Sequence, residues 1–121
     1  MGRKRSPTGI QRRELMIVVI GGPDALTDAV RRVALVDVGA AVVVAPGADV
    51  CAVAALIGSH RPFAIVINAQ FYDFDPHGFD AIARDVGASL IPLDTGKIAE
   101  EKIDSAIRSP LLAAAAAYTG T

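Results

Sequence analysis

The chain has 121 residues, of which 52% are apolar and only 5% aromatic, and its formal net charge is −1. This length corresponds to one ordinary domain, and the composition excludes a disordered chain, because disorder requires low hydrophobicity and high charge. No apolar run reaches the roughly 18 residues that a membrane-spanning helix needs.

The first thirteen residues differ in charge from the rest of the chain. They hold five of the twelve basic side chains and no acid, whereas the remainder carries thirteen acidic and seven basic side chains. Residues 1–13 are therefore predicted to be a flexible basic arm, either a solvated leader or a contact for nucleic acid, an acidic partner or membrane lipid. The acidic remainder argues against nucleic-acid binding by the domain itself.

The compartment is predicted from two further features. A secretory signal requires an apolar stretch after its basic residues, and none follows Arg3, Lys4 and Arg5. The single cysteine, Cys51, excludes an intrachain disulfide, which fits a reducing compartment. A cytoplasmic location is expected.

The first strand and helix are predicted from the pattern that follows the arm. Residues 15–20 form an apolar run that stops at Gly21-Gly22-Pro23, as a buried parallel strand does. Asp24 suits the positive N-terminal end of a helix that ends at Gly39. Apolar residues at three- and four-residue spacing predict the inward positions of this helix, which are Leu26, Val30, Val33 and Val36.

Three more strands follow, each with a helical stretch after it. The predicted elements are a strand over Ala41–Ala45 closed by Pro46-Gly47, a helix from the cap Asp49 to about Ser59, a strand over Phe63–Ile67 ending at Asn68, a loop over residues 70–78, a helix over Phe79–Val86, a strand over Ser89–Leu93 and a helix over Lys97–Arg108. Pro92 favours an edge position or the end of its strand. Pro110 is predicted to break the chain, which separates a domain at 14–109 from an Ala-rich, helical tail at 110–121.

Strands that alternate with helices imply right-handed parallel crossovers. The predicted fold is therefore α/β, a doubly wound parallel sheet of four strands, with a fifth left open, and with helices on both faces. Ligands of such sheets bind at the carboxyl ends of the strands, where the strand order reverses. The residues expected at this edge are Gly21, Gly22, Pro23, Asp24, Pro46, Gly47, Asn68, Ala69, Gln70, Asp94, Thr95, Gly96 and Lys97.

Residues 15–70 resemble the receiver domain of two-component response regulators. The resemblance rests on a strand that leads into an acidic turn and helix, on Gly39-Ala40 before the second strand, and on His60-Arg61-Pro62 before the third. It implies a flavodoxin-like fold. Receivers have two acids after the first strand for Mg²⁺, a phosphoacceptor aspartate ending the third, Thr or Ser after the fourth, and Lys after the fifth.

The positions of this chain that correspond to those residues do not carry the side chains that phosphorylation requires. The acidic pair falls on Ile20 and Gly21, which cannot bind a metal, and the phosphoacceptor falls on Asn68, whose amide cannot form an acyl phosphate. Thr95 takes the place of the hydroxyl residue, and Lys97 follows the fourth strand rather than a fifth. The resemblance implies a degenerate phosphorylation site, with no catalytic residue, metal or cofactor.

The resemblance also implies a shortened C-terminal end. Either the fifth strand and helix are missing, or residues 87–93 are the fifth strand and an inner unit has been deleted. An open apolar edge or face at this end requires cover. The tail Leu111–Ala117 or a second copy of the protein would supply it, so a homodimer is one expected outcome.

A binding site for a nucleotide or phosphometabolite is an alternative from a different class. Gly21-Gly22 before a helix suits a phosphate, and Asp24, Asp94 and Thr95 are further candidate ligand-binding residues. The G-x-G-x-x-G fingerprint is absent, and Asp24 places a negative charge where the phosphate would lie. A plain tight turn is the competing interpretation.

The loop after the third strand holds most of the aromatic residues of the chain. The candidate interface residues for a protein partner are Phe71, Tyr72, Phe74 and Phe79. The competing interpretation is that these side chains fold back to cap the core. The acids beside His77 match no Ca²⁺ loop and are read as solvated. The sequence thus predicts a pseudo-receiver that binds an unidentified protein without phosphorylation.

Overall fold

The computed structural model describes residues 15–45 and 50–119. The strands are β1 (Met16–Ile20), β2 (Ala41–Ala45), β3 (Ala64–Asn68) and β4 (Ser89–Leu93). The helices are α1 (Asp24–Val33), α2 (Val50–His60), α3 (Ala69–Tyr72), α4 (Pro76–Val86) and α5 (Ile103–Thr119). The predicted arm at 1–13, the turn Pro46-Gly47 and the cap Asp49 lie outside the described residues.

All strands are parallel, and their order in the sheet is β2-β1-β3-β4. Helices cover both faces, so the prediction of a doubly wound α/β fold is confirmed. The order matches the first four strands of the flavodoxin-like arrangement. No fifth strand lies among the described residues, and β4 pairs directly with β3.

Successive side chains of β1 enter two separate cores. Ile17 and Val19 pack beneath α1 and α5, on what is called here the α1/α5 face. Val18 and Ile20 pack beneath α2 and α4, on the α2/α4 face. Because both faces are covered, an inner strand is apolar at every position, and this explains why β1 was recognisable as an uninterrupted apolar run.

The first helix ends differently from its prediction. After Val33 the chain widens into a π-helical turn over Ala34–Val38, where Gly39 N donates to Ala34 O, and Gly39 ends the turn with φ +76°. The wider turn changes the direction of the side chains within it. Val36, predicted to face inward, is therefore 77% exposed, whereas Leu26, Val30 and Val33 are buried as predicted.

The break predicted at Pro110 is wrong, because α5 continues through it to Thr119. A proline inside a helix costs about 3 kcal/mol. The buried stripe of α5 extends on both sides of Pro110, with Ile107 before it and Leu111 after it, both fully buried. We infer that this burial outweighs the cost of the proline. Up to Thr119, the predicted tail is part of the helix that covers the sheet.

Two further boundaries differ from the sequence prediction. The loop predicted over residues 70–78 contains α3, and α4 already begins at Pro76, where the Asp75 carboxylate accepts from Gly78 N at 3.1 Å. The helix predicted from Lys97 starts at Ile103 and is preceded by two 3₁₀ turns. Within residues 15–45 and 50–119, no helix combines the length and apolarity that crossing a membrane requires.

Candidate functional site

The candidate site lies at the carboxyl ends of β1 and β3, where the chain reverses the direction in which it adds strands. From β1 the chain first adds β2 on one side, and it then returns to add β3 on the other. Gly21 and Gly22 directly follow β1, Asn68 is the last residue of β3, and Thr95 lies just beyond β4. The fold thus brings these predicted residues to one edge of the sheet.

Asn68 is the one buried polar side chain among the described residues, with 8% of its surface exposed. Its Oδ1 accepts from Gln70 N at 3.0 Å, which caps α3. Its Nδ2 donates to Thr95 Oγ1 at 3.4 Å, which links the ends of β3 and β4. Both polar atoms of the amide therefore have hydrogen-bond partners within the chain. Asn68 connects α3 and the turn after β4 to the end of β3.

The end of β1 is closed by an aromatic ring. Gly21 has φ +66°, and a Cβ at this position would overlap the ring of Phe71. Gly22 has φ +88°, and its Cβ would lie 2.7 Å from Leu26 Cδ2. Neither position accepts a side chain without strain and displacement of a neighbour, so a carboxylate at residue 21 is sterically excluded while the ring stays in place.

A shallow pocket of about 340 Å³ opens beside this ring. It is lined by Gly21, Gly22, Asp24, Thr27, Val44, Ala45 and Phe71. Of the candidate ligand-binding residues, Asp94 and Thr95 are not part of this lining. The predicted set is thus split: the glycines and Asp24 border the pocket, whereas Asp94 and Thr95 belong to the turn after β4.

Lys97 does not occupy the position of a receiver lysine. Its Nζ lies 3.9 Å from Asp94 Oδ2, and its side chain is 85% exposed. The other carboxylate oxygen of Asp94 accepts from Gly96 N at 3.1 Å and holds the turn. Lys97 therefore faces solvent beyond β4 rather than the crevice at Asn68.

The four candidate interface aromatics do not share one environment. Phe79 is 2% exposed and belongs to the α2/α4 core, so its prediction as an interface residue is wrong. Phe71 and Tyr72 are half-buried against the same core. Phe74 is 82% exposed, with its ring centroid 6.3 Å from that of Phe71. Of these four residues, Phe74 alone presents most of its side chain to solvent.

Tyr72 is fixed by a polar contact that sequence reasoning missed. Its hydroxyl donates to Asp80 Oδ1 at 3.0 Å, and this hydrogen bond raises the pKa of the Tyr72 phenol above its ordinary value. The contact joins α3 to α4. The eight-residue separation crosses a turn whose geometry no helical or strand period predicts, so no sequence signal could have found it.

The contact between Phe71 and Gly21 was also missed, although a signal for it existed. Two glycines at the end of a buried strand mark a place where another part of the chain approaches closely. The aromatic loop that follows the neighbouring strand could have been considered as the approaching group. From the sequence alone, Gly21 was instead considered as a failed metal ligand, as part of a phosphate site or as part of a tight turn.

No protein-family model, curated protein or solved structure matches this chain. Within the part of the chain that the structure describes, no group of three or more His, Cys, Asp or Glu side chains could hold a metal ion. The function must therefore be inferred from the geometry at the carboxyl edge of the sheet.

Proposed function

We propose that this chain is a non-catalytic pseudo-receiver that binds a protein partner independently of phosphorylation. The observation that carries the proposal is the Phe71 ring against Gly21, beside Asn68 at the end of β3. In a receiver, these two strand ends hold the carboxylates that bind Mg²⁺ and accept the phosphoryl group. Here one end has no room for a side chain, and the other carries an amide.

The strand order supports the same proposal. A receiver places its phosphoacceptor strand next to its first strand, and β3 lies next to β1 here. Asn68 and Gly21 therefore meet at the reversal point, where doubly wound sheets bind their ligands. The position suited to a ligand is present, and the groups needed for phosphorylation are not among the residues that form it.

Phe74 is the residue best placed to contact a partner. Its ring is 82% exposed and rests near Phe71, which is itself packed on Gly21. Phe74 lies between two anchored residues, Tyr72, whose hydroxyl donates to Asp80, and Asp75, whose carboxylate accepts from Gly78 N. An exposed aromatic ring on a supported segment loses little entropy on binding, which is typical of an interface anchor.

The phosphorylation half of the proposal is tested with a small phosphodonor. The full chain is incubated with acetyl phosphate and Mg²⁺, and the intact mass is measured. We expect no phosphoryl addition to the wild type, and none to Asn68→Asp, because a lone carboxylate there still lacks the metal-binding acids. Addition of one phosphoryl group to the intact mass of the wild type would contradict the proposal.

The binding half is tested with matched exposed residues. A partner captured from the source cells is purified and titrated with the wild type, with Phe74→Ala and with Leu35→Ala. Leu35 is 78% exposed but precedes β2, at the opposite end of the sheet. We expect Phe74→Ala to weaken binding at least about tenfold, a loss of 1.4 kcal/mol, and Leu35→Ala to leave it unchanged. Equal binding by all three proteins would contradict the role of Phe74.

The nucleotide alternative is less well supported by the same geometry. The Phe71 ring lies over Gly21, and Asp24 borders the pocket with a negative charge. A thermal-shift screen with nucleotides separates the two functions, since a ligand at about 100 times its Kd adds about 2.7 kcal/mol of stability. A shift that is lost in Gly22→Ala would favour the nucleotide site over the pseudo-receiver.

A further inference from the structure

The outer edge of β2 presents backbone groups that the rest of the described chain does not pair. Within the described sheet, β2 pairs with β1 alone, and Ala41 N donates to Leu15 O at 2.9 Å. The N–H and C=O of one residue point to the same side of a strand, and successive residues alternate. Since Ala41 faces β1, Val42 and Val44 direct their backbone donors and acceptors outward.

The outer edge of β4 is different, because it lacks one donor. Ser89 N donates to Phe63 O at 2.9 Å, toward β3, so Leu90 and Pro92 are the outward-facing residues. Proline has no N–H, and prolines at sheet edges discourage pairing with further strands. Of the two edges of this sheet, the β2 edge alone has its full set of outward backbone groups.

This difference limits how two copies of the chain could join their sheets. Pairing β2 with β4 of another copy would be head-to-tail and would repeat into a ring or an open fibre. Pro92 opposes that mode, because it removes a donor from the required ladder. Pairing β2 with β2 uses the complete edge twice and closes after two copies, as a two-fold symmetric dimer does.

We propose that β2 pairs antiparallel with β2 of a second copy, about a two-fold axis at Val43, to form one continuous sheet. In this register Val42 lies opposite the second copy's Val44, and the reverse pair repeats the contact. Each pair exchanges two N–H···O=C hydrogen bonds, so both outward residues of each strand are satisfied.

The side chains of β2 favour this occupant. The strand is Ala41-Val42-Val43-Val44-Ala45, with no charge and no proline to prevent pairing, and Val44 is 39% exposed. Opposed β-branched side chains stabilise a sheet, and an uncharged edge meets its own copy without repulsion. A homodimer was expected at the shortened C-terminal end, but α5 packs on the sheet there. The proposed dimer interface is therefore the β2 edge rather than the C-terminal end.

A symmetric crosslink tests the register. In a Cys51→Ser background, Val43→Cys places two thiols opposite each other at a pair without hydrogen bonds, where the Cα atoms are about 4.5 Å apart. This separation suits a disulfide. We expect oxidation with copper phenanthroline to convert most of the Val43→Cys protein to a covalent dimer, seen on a non-reducing gel. Absence of the crosslink in folded protein overturns the register.

Val42→Cys in the same background is the matched control. Its thiol lies opposite residue 44 of the second copy, and the two residues 42 are diagonal neighbours about 7–8 Å apart. That distance is too long for a disulfide without backbone movement. Equal crosslinking of both variants shows random collision and overturns the proposal.

Analytical ultracentrifugation of the full chain tests the dimer itself. We expect a dimer whose Kd rises at least about tenfold in Val44→Lys, because a charge at an edge strand opposes pairing. Val36→Lys changes a residue that is 77% exposed on the π-helical turn and should leave the Kd unchanged. A wild type that is monomeric at all concentrations overturns the proposal. If deletion of residues 1–13 then produced the dimer, the chain's own N-terminal segment would be the occupant of the β2 edge.

Discussion

The two faces of the sheet are built by different means. On the α1/α5 face, the apolar core includes the buried ring of Phe63, and two ion pairs join the elements above it, Arg32 with Asp104 at 2.6 Å and Arg108 with Asp37 at 3.1 Å. On the α2/α4 face, the core likewise includes one buried phenylalanine, Phe79, and the hydroxyl of Tyr72 donates to Asp80 Oδ1 at 3.0 Å. Both faces thus have an apolar core with one buried phenylalanine, and they differ in the polar contacts between their helices, which are ion pairs on one face and a hydroxyl–carboxylate hydrogen bond on the other.

Because of this difference, we expect acidic pH to weaken one face and alkaline pH to weaken the other. The hydrogen bonds from Arg32, followed by its charge, hold the pKa of Asp104 below its ordinary value. The Tyr72 pKa is raised by its hydrogen bond to Asp80. Acid should therefore loosen α5 on the α1/α5 face, and alkali should loosen the contact between α3 and α4 on the other face.

The largest expected effect comes from Phe79 in the core of the α2/α4 face. Phe79→Ala should lower the free energy of unfolding by about 3–5 kcal/mol, because a large buried ring is lost and a cavity remains. Phe74→Ala removes the same side chain from an 82% exposed site and should change stability by no more than about 0.5 kcal/mol. Urea denaturation of both variants measures the difference. Equal losses would mean that Phe79 is not a core residue.

The next effect concerns the aliphatic stripe of the α1/α5 face. Leu111 is fully buried on α5, so Leu111→Ala should cost about 2–5 kcal/mol. Its neighbour Leu112 is 40% exposed, and Leu112→Ala should cost clearly less. Hydrogen exchange should show faster opening of residues 103–119 in Leu111→Ala. Unchanged exchange there would contradict the continuity of α5 through Pro110.

The hydrogen bond from Tyr72 to Asp80 on the α2/α4 face should contribute less to stability, and its contribution should disappear at alkaline pH. Because the Tyr72 pKa is raised in the folded state, its contribution is fully present below the unfolded pKa of about 10. It is lost as the pH rises through the folded pKa. Tyr72→Phe should thus be less stable than the wild type at neutral pH, and the two should converge in alkali. Tyr118→Phe, whose ring packs on Phe63 on the other face, should show no such convergence.

The smallest effect is expected from the exposed ion pair of the α1/α5 face. The Asp104 pKa is lowered on folding, so its contribution is present above the unfolded pKa of about 3.9 and disappears as the pH falls through the folded pKa. Asp104→Asn should therefore lower the Tm slightly at neutral pH and match the wild type in acid. Asp85→Asn on α4 is the control. A difference that survives in strong acid would mean that packing, rather than charge, explains it.

The sequence was sufficient to predict the sheet and most of its helices. The strands Ala41–Ala45 and Ser89–Leu93 were predicted with the bounds that the structure shows, because apolar runs between turn residues depend only on local pattern. The stop of α4 at Gly87 followed from the same logic, and Gly87 has φ +72° there.

The errors arose where contacts distant in sequence override local preference. Pro110 is a local helix breaker, but the burial of Leu111 against the sheet keeps the helix continuous. The π-helical turn exposes Val36 because it departs from the 3.6-residue period from which the inward positions of the helix were predicted. At the candidate site, the residues that end the strands were identified, and the ring that closes them was not.

The contact between Gly21 and Phe71 has a consequence for how this fold could change over generations. A side chain at residue 21 and the ring of Phe71 would occupy the same volume. The ring therefore fits only while residue 21 is glycine. A single substitution of Gly21 by an acid would meet both the ring and an unfavourable positive φ, and would be removed by its cost in stability before it gained any use. A carboxylate at residue 21 could therefore be acquired only after Phe71 had been replaced by a smaller residue.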